Sequence, residues 1–155
     1  TLVHSLKYQD RTDLAPAMGR WMARAGQQLL GEADVLVPVP LHWRRRWQRG
    51  FNQSELLCRQ LLRTCPELKF CEPAYGLVRR QRATAAQTAM NARARASNLN
   101  GAFTVCRPCT KLRIAIVDDV LTTGATAAAM ADALASAGAS HIEVWCLART
   151  PSPGA

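Results

Sequence analysis

The sequence predicts an α/β domain with a mainly parallel central sheet flanked by helices on both faces. Three observations carry that prediction. Apolar runs at Val35 to Val39 and Ile114 to Val117, and the run Ile142 to Ala148 interrupted only by Glu143, read as buried strands, a pattern of parallel sheets rather than of half-solvated antiparallel ones. Segments with helical spacing of apolar residues alternate with these runs through short connections, as βαβ units require. The stretch from Ile114 to Ala137 passes from strand through a hydroxyl-rich, glycine-containing turn into an alanine-rich helix without interruption. No internal repeat competes with this organisation.

Length and composition bound the rest. A chain of 155 residues, 48% of them apolar, suggests one domain over 1–150 with a real core, and a frayed Pro-Ser-Pro-Gly tail over 151–155. No apolar run approaches the ~18 residues of a membrane span, and no secretory signal is visible, so the expected location is the cytoplasm, with no membrane insertion. Six cysteines without a secretory mark are expected as free thiols. Cys106 and Cys109 have the spacing of half a zinc site, but no second pair and no nearby His completes it. The net charge of +9 is unevenly placed. From His42 to Arg107 there are thirteen basic residues against Glu55, Glu67 and Glu72, whereas Val117 to Ala155 holds four acids and one arginine. A basic belt facing an acidic strand end suits an anionic ligand bearing hydroxyls or a metal, and suits a nucleic acid as well.

In chain order, Thr1 to Asp10 is a short amphipathic piece of ambiguous type. From Asp13, a plausible N-cap, apolar residues at helical spacing from Leu14 to Leu29 predict a helix, with Pro16 in its first turn and Gly31 as its stop. Val35 to Pro40 is a buried strand broken by proline. A basic loop with two tryptophans follows, from Leu41 to Gly50, and Phe51-Asn52-Gln53 opens a helix that runs to about Cys65, where Pro66 ends it. Lys69 to Cys71 and Tyr75 to Val78 are expected as short strands. Arg79 to Met90 carries no apolar stripe and reads as a polar, basic, mobile loop. Asn91 to Leu99 reads as a short helix and Gly101 to Val105 as a strand.

The chemistry concentrates at Asp118 to Thr126. Two acids closing a buried strand are expected at the carboxyl edge of the sheet, where they can sit in water and where α/β sheets bind ligands. The helix that follows aims free N–H groups and its positive dipole end at the same place, which suits phosphate. Thr122, Thr123 and Thr126 add hydroxyls, and Gly124 permits close approach or positive φ. Carboxylates at Asp118 and Asp119 suit a vicinal diol or a hydrated Mg²⁺, so the combination suggests a sugar phosphate. An ordinary strand-turn-helix, capped by Thr122 or Thr123, has the same local pattern. The guanidinium-rich loop after Pro40 is placed to grip pyrophosphate bidentately, and its tryptophans could equally stack on single-stranded bases.

The signature Val117 to Thr126 closely resembles the phosphoribosyl-pyrophosphate (PRPP) motif of type I phosphoribosyltransferases. Val37-Pro38-Val39-Pro40 with Arg49 to Gln53, and the series Arg80, Thr84, Gln87, Arg95, Asn98, Gly101, Ala102 and Phe103, resemble the ComF competence proteins, chiefly their proteobacterial GntX branch, which is implicated in using external DNA. The resemblance implies a type I phosphoribosyltransferase fold with a small hood and a flexible flap. It implies PRPP or a related ribose phosphate at Asp118, Asp119, Val120, Leu121, Thr122, Thr123, Gly124, Ala125 and Thr126, and Mg²⁺ at Asp118 and Asp119, directly or through water. The pyrophosphate and flap residues would be Pro40, Leu41, Arg49, Asn52, Arg80, Arg82, Thr84, Gln87 and Arg95. That family usually carries a zinc module ahead of this domain, so an N-terminal truncation is expected here. The acceptor base and the catalytic residue are not identified, and a phosphoribosyltransferase activity stays an open expectation. The alternative is a non-catalytic single-stranded-DNA factor using residues 43–49 and 79–95. A homodimer is also among the expected assemblies.

Overall fold

A computed structural model describes residues 15–25, 33–41, 50–68, 71–81 and 101–150. Its elements are α1 (Ala15–Ala25), β1 (Val35–Pro38), α2 (Gln53–Thr64), a 3-10 turn (Pro66–Leu68), β2 (Glu72–Pro73), β3 (Val78–Arg80), β4 (Phe103–Val105), β5 (Arg113–Leu121), α3 (Ala125–Ser136) and β6 (His141–Arg149). Four strands form one sheet in the order β2-β1-β5-β6, and every pairing in it is parallel. The expected mainly parallel α/β architecture is therefore present.

Connectivity then sorts the helices. The unit β1-α2-β2 steps from the sheet's centre toward one edge, while β5-α3-β6 steps toward the other. Right-handed crossovers running in opposite directions place their helices on opposite faces. The two cores agree. Val35, Val37, Ile114 and Ile116 pack with Met130 and Leu134 of α3, whereas the intervening Leu36, Ala115 and Val117 pack with Met18 and Met22 of α1 and Leu57 and Leu61 of α2. That alternation is the period-two direction of side chains in a strand, buried on both sides. β3 and β4 form a separate antiparallel pair, and Val78 and Phe103 seat it on the α3-side core.

Several boundaries differ from expectation, each because pairing overrode local pattern. The strand expected at Tyr75 to Val78 lies instead at Val78–Arg80; of the one expected at Lys69 to Cys71, residues 69 and 70 lie outside the described residues, and a short strand follows at Glu72–Pro73. Glu72 and Pro73 are in register with Val35 and Leu36, and an edge strand tolerates proline's missing N–H. Tyr75 and Gly76 form a turn in which Gly76 takes φ +84°. Arg79 and Arg80, expected in a polar loop, pair with Thr104 and Phe103, and the Arg80 guanidinium lies 5.6 Å from the Phe103 ring centre. The strand expected from Gly101 begins at Phe103. The helix expected to open at Phe51 begins at Gln53. Pro38 ends β1, beyond the two positions at which β2 pairs with it, so no ladder donor is missed on that side. The N-terminal piece, the helix expected over residues 91–99 and the tail over 151–155 lie outside the described residues, as do residues 26–32 of the first expected helix. Among the described residues no helix is long and apolar enough to cross a membrane.

Candidate ligand site at the carboxyl edge of the sheet

The adjacent strands β1 and β5 are followed by helices on opposite faces of the sheet, the arrangement that in open α/β sheets sets a crevice at their carboxyl ends. Such a topological switch point is where open α/β sheets bind ligands. One wall is the β5–α3 turn and the other is the start of α2.

On the first wall, β5 does not stop at its acids. Asp118 is in register with Cys146, Val120 with Ala148 and Leu121 with Arg149, because β6 is long enough to carry the pairing onward. On the side of β1 the ladder ends at Pro38 and Val117, followed by one bond from the Val39 N–H to the Val117 carbonyl at 2.9 Å. The acids thus overhang β1, with Asp118 and the following Val120 still paired to β6. Both were expected in water, and this needs correction: Asp118 is half-buried, but Asp119 is only 6% exposed. Adjacent strand residues leave opposite faces, so the two carboxylates do different work. Asp118 Oδ1 accepts from the Asp119 N–H at 2.9 Å, and Asp119 Oδ1 accepts from the Val120 N–H at 2.8 Å. Beside them, burial and then the Asp118 charge push the Cys146 thiol pKa up.

The turn itself is capped by neither Thr122 nor Thr123. Gly124 is the N-cap of α3 at φ 75°, ψ −5°, a left-handed conformation that favours glycine, and no side-chain bond caps the helix there. Thr123 Oγ1, one residue ahead of the N-cap, accepts from the Ala125 N–H in a long bond of 3.4 Å. The other first-turn N–H groups of α3 have no intrahelical partner, and the positive end of the helix dipole lies behind them. Thr122 and Thr123 are exposed, while Val120, Leu121, Ala125 and Thr126 are half-buried around the same turn.

On the second wall, Asn52 is the N-cap of α2 and ties that helix to the end of β1. Its Oδ1 accepts from the Ser54 N–H at 3.0 Å, and its Nδ2 donates to the Val39 carbonyl at 3.0 Å, just past β1. Ser54 Oγ donates to Asp118 Oδ1 at 3.5 Å. The start of α2 is thus held against both the end of β1 and an acid of β5. Pro40 and Leu41, half-buried, leave β1 on this side.

Of the expected site residues, Asp118, Asp119 and Val120 are joined by these contacts, and Asn52 reaches Asp118 through Ser54, while Leu121 to Thr126 continue the same turn. Arg80 ends β3, where its described contact is the ring of Phe103. Arg49, Arg82, Thr84, Gln87 and Arg95 lie outside the described residues. Ser54 and Gln53 were not anticipated as site residues. Their signal in the sequence was two polar residues continuing, at helical spacing, the buried stripe of Leu57, Cys58 and Leu61. All six cysteines are free, as expected. Among the described residues no group of three or more His, Cys, Asp or Glu could hold a metal, Cys106 and Cys109 included.

No protein-family model matches the chain. It is 43% identical over 157 residues to the DNA utilization protein YhgH of Escherichia coli (strain K12), an alignment covering 96% of this chain and 66% of that protein. It is 37% identical over 121 residues to competence protein F of Haemophilus influenzae, covering 75% of this chain and 50% of that one. The chain therefore spans just under two thirds of the first relative's length and half of the second's. Among solved structures, a purine phosphoribosyltransferase from Pyrococcus horikoshii Ot3 matches with a TM-score of 0.50 at 16% identity, over 91% of this chain and 76% of that one. At that identity the likeness speaks to fold alone.

Proposed function

Because the chain belongs to the ComF/GntX family of competence and DNA utilization proteins and has a type I phosphoribosyltransferase fold, we propose that it binds PRPP or a related ribose phosphate with Mg²⁺, in a protein serving DNA uptake or the use of DNA as nutrient. The observation that carries this reading is the β5–α3 turn: a left-handed Gly124, a helix start without a side-chain cap and two acids, all at the switch point of the sheet.

In this reading the backbone N–H groups at the start of α3 and the hydroxyls of Thr122, Thr123 and Thr126 take the 5-phosphate. Asp118, half-buried and at the mouth of the crevice, accepts from the ribose hydroxyls. Asp119, buried and bonded to the Val120 N–H, holds the turn from behind. The residues fit a Mg²⁺ that arrives with its phosphates, since that ion keeps several waters and takes only one or two carboxylates beside phosphate oxygens, and Asp118 offers a half-buried carboxylate. Asp118 would hold such an ion directly or through its waters, and the ion would supply positive charge against the pyrophosphate. Calorimetry with PRPP and Mg²⁺ tests the reading. Wild type is expected to bind and the Asp118→Asn/Asp119→Asn double variant to bind much more weakly; undiminished binding by that variant would overturn the assignment. Assaying pyrophosphate release across a panel of nucleobases separates a transferase from a sensor.

A second reading, single-stranded DNA binding, draws on the names of the relatives and on the crowding of basic residues between His42 and Arg107. It expects oligonucleotide affinity that falls steeply with salt and that drops when Arg44, Arg45 and Arg46 are replaced by Ala, because phosphate contacts release counterions. Salt-independent binding, or none, would remove this reading.

A further inference from the structure

Among the described residues the buried polar side chains are Asn52, Gln53, Ser54 and Asp119, and all of them sit at the crevice end of the fold. Three have partners: Asn52 on Val39 and Ser54, Ser54 on Asp118, and Asp119 on the Val120 N–H. The exception is Gln53. Its side chain is 2% exposed, and its amide Nε2 has no hydrogen-bond partner among the described residues. Buried amides are almost always paired, so this one calls for a cause.

The position supplies it. Gln53 is the first residue of α2 and continues the buried stripe of Leu57 and Leu61. Side chains of a helix lean toward its N-terminus, so a long first-turn side chain reaches past the helix start, toward the sheet's carboxyl edge. The first turn of α2 has its own positive dipole end there. The opposite wall, the α3 turn, takes one end of the ligand in the reading above, which leaves the α2 wall for the other end.

We propose that Gln53 is a specificity residue for the pyrophosphate arm of the ligand, its buried Nε2 donating to a phosphate oxygen that arrives only on binding; this rests on the ribose-phosphate reading of the site. The Nε2 donor has little to give up in the free protein, since the hydrogen bond it makes is with the ligand. Replacing it by a side chain of similar length without the donor removes affinity for that arm and leaves the fold intact.

The test is calorimetry with two probes, inorganic pyrophosphate with Mg²⁺ and ribose 5-phosphate, on wild type, Gln53→Met and Gln53→Glu, with thermal unfolding of each free protein. Gln53→Met is expected to bind pyrophosphate about tenfold more weakly, to keep ribose 5-phosphate affinity within about twofold and to unfold no lower than wild type. Gln53→Glu, which sets a carboxylate against the anion, is expected to weaken pyrophosphate at least as much. Wild-type pyrophosphate affinity in either variant, or equal loss of both probes, would overturn the role of Gln53 while leaving the site itself standing. A wild-type protein that binds ribose 5-phosphate but not pyrophosphate would also overturn this inference alone; one that binds neither overturns the site and the inference together.

Discussion

At the scale of single residues, Gly124 and Asn52 set the geometry of the two walls. Gly124 holds φ 75°, and a Cβ there would meet nothing within 4 Å, so the cost of a side chain is conformational rather than steric. Gly124→Ala is expected to destabilise by about 1 kcal/mol in denaturant unfolding; an unchanged midpoint and slope would contradict that account of the turn. Asn52 was legible as part of a motif, but its structural task was not, because the bond to the Val39 carbonyl depends on where β1 ends in space. Asn52→Ala loses both the cap and that bond and is expected to cost about 1–2 kcal/mol. Asn52→Asp keeps the acceptor for Ser54, loses the donor to Val39, and should fall between Ala and wild type. A loss in Asp as large as in Ala would mean that the cap contributes nothing.

At the scale of elements, α1 and α2 cross where Gly19 meets Gln60. A Cβ on Gly19 would lie 2.6 Å from the Gln60 Cβ, which is no flexible side-chain tip and cannot move without its helix. Alanine is the better helix former by about 1 kcal/mol, yet overpacking of this kind costs about 1–3 kcal/mol. Gly19→Ala is therefore expected to lower stability in chemical denaturation, and a stabilised variant would show that the helices separate freely. The long elements were readable in the sequence because their periodicity is self-sufficient: the continuous apolar run of β5 and the stripe through Leu57 and Leu61 need no partner to be recognised. The short ones were not. β2 and β3 have their limits set by pairing with Val35, Leu36 and Val105, all remote in sequence, and no local pattern reports that. The continuation of β5 through Asp118 and Asp119 was missed for the same reason, being permitted by the length of β6. Gln53 was read as part of a motif and of a helix start, but not as a buried site residue, because a polar residue on a buried stripe reads as a stripe that has ended.

At the scale of the whole molecule, strand order makes the site. Any strand-turn-helix could carry Asp118 to Thr126, but only the order β2-β1-β5-β6 sets that turn across a crevice from the start of α2. Behind the crevice, the core shared by α1, α2 and the sheet holds Cys58, Cys65 and Cys71. Burial, and next the charge of Asp34, push the Cys71 thiol up to about 11 from 9.0; burial, and then Cys71, push Cys58 up as well. With folded pKa values above the unfolded ones, the folded state resists thiol ionisation. Stability is full below about pH 9 and is lost as pH rises toward 11. Allowing for partial solvent screening, Cys71 alone should account for about 1–2 kcal/mol of that loss. Urea titrations at stepped pH check this, and Cys71→Ala should flatten the slope. The chemical reading of the site rests on the α3 turn, and the most direct measurement is of its backbone amides. In a ¹⁵N-labelled protein titrated with ribose 5-phosphate, the amide resonances from Thr123 to Ala127 should shift together and saturate, with those of remote β3 and β4 unmoved. Saturable shifts confined to other segments, with the α3 turn silent, would contradict the phosphate assignment.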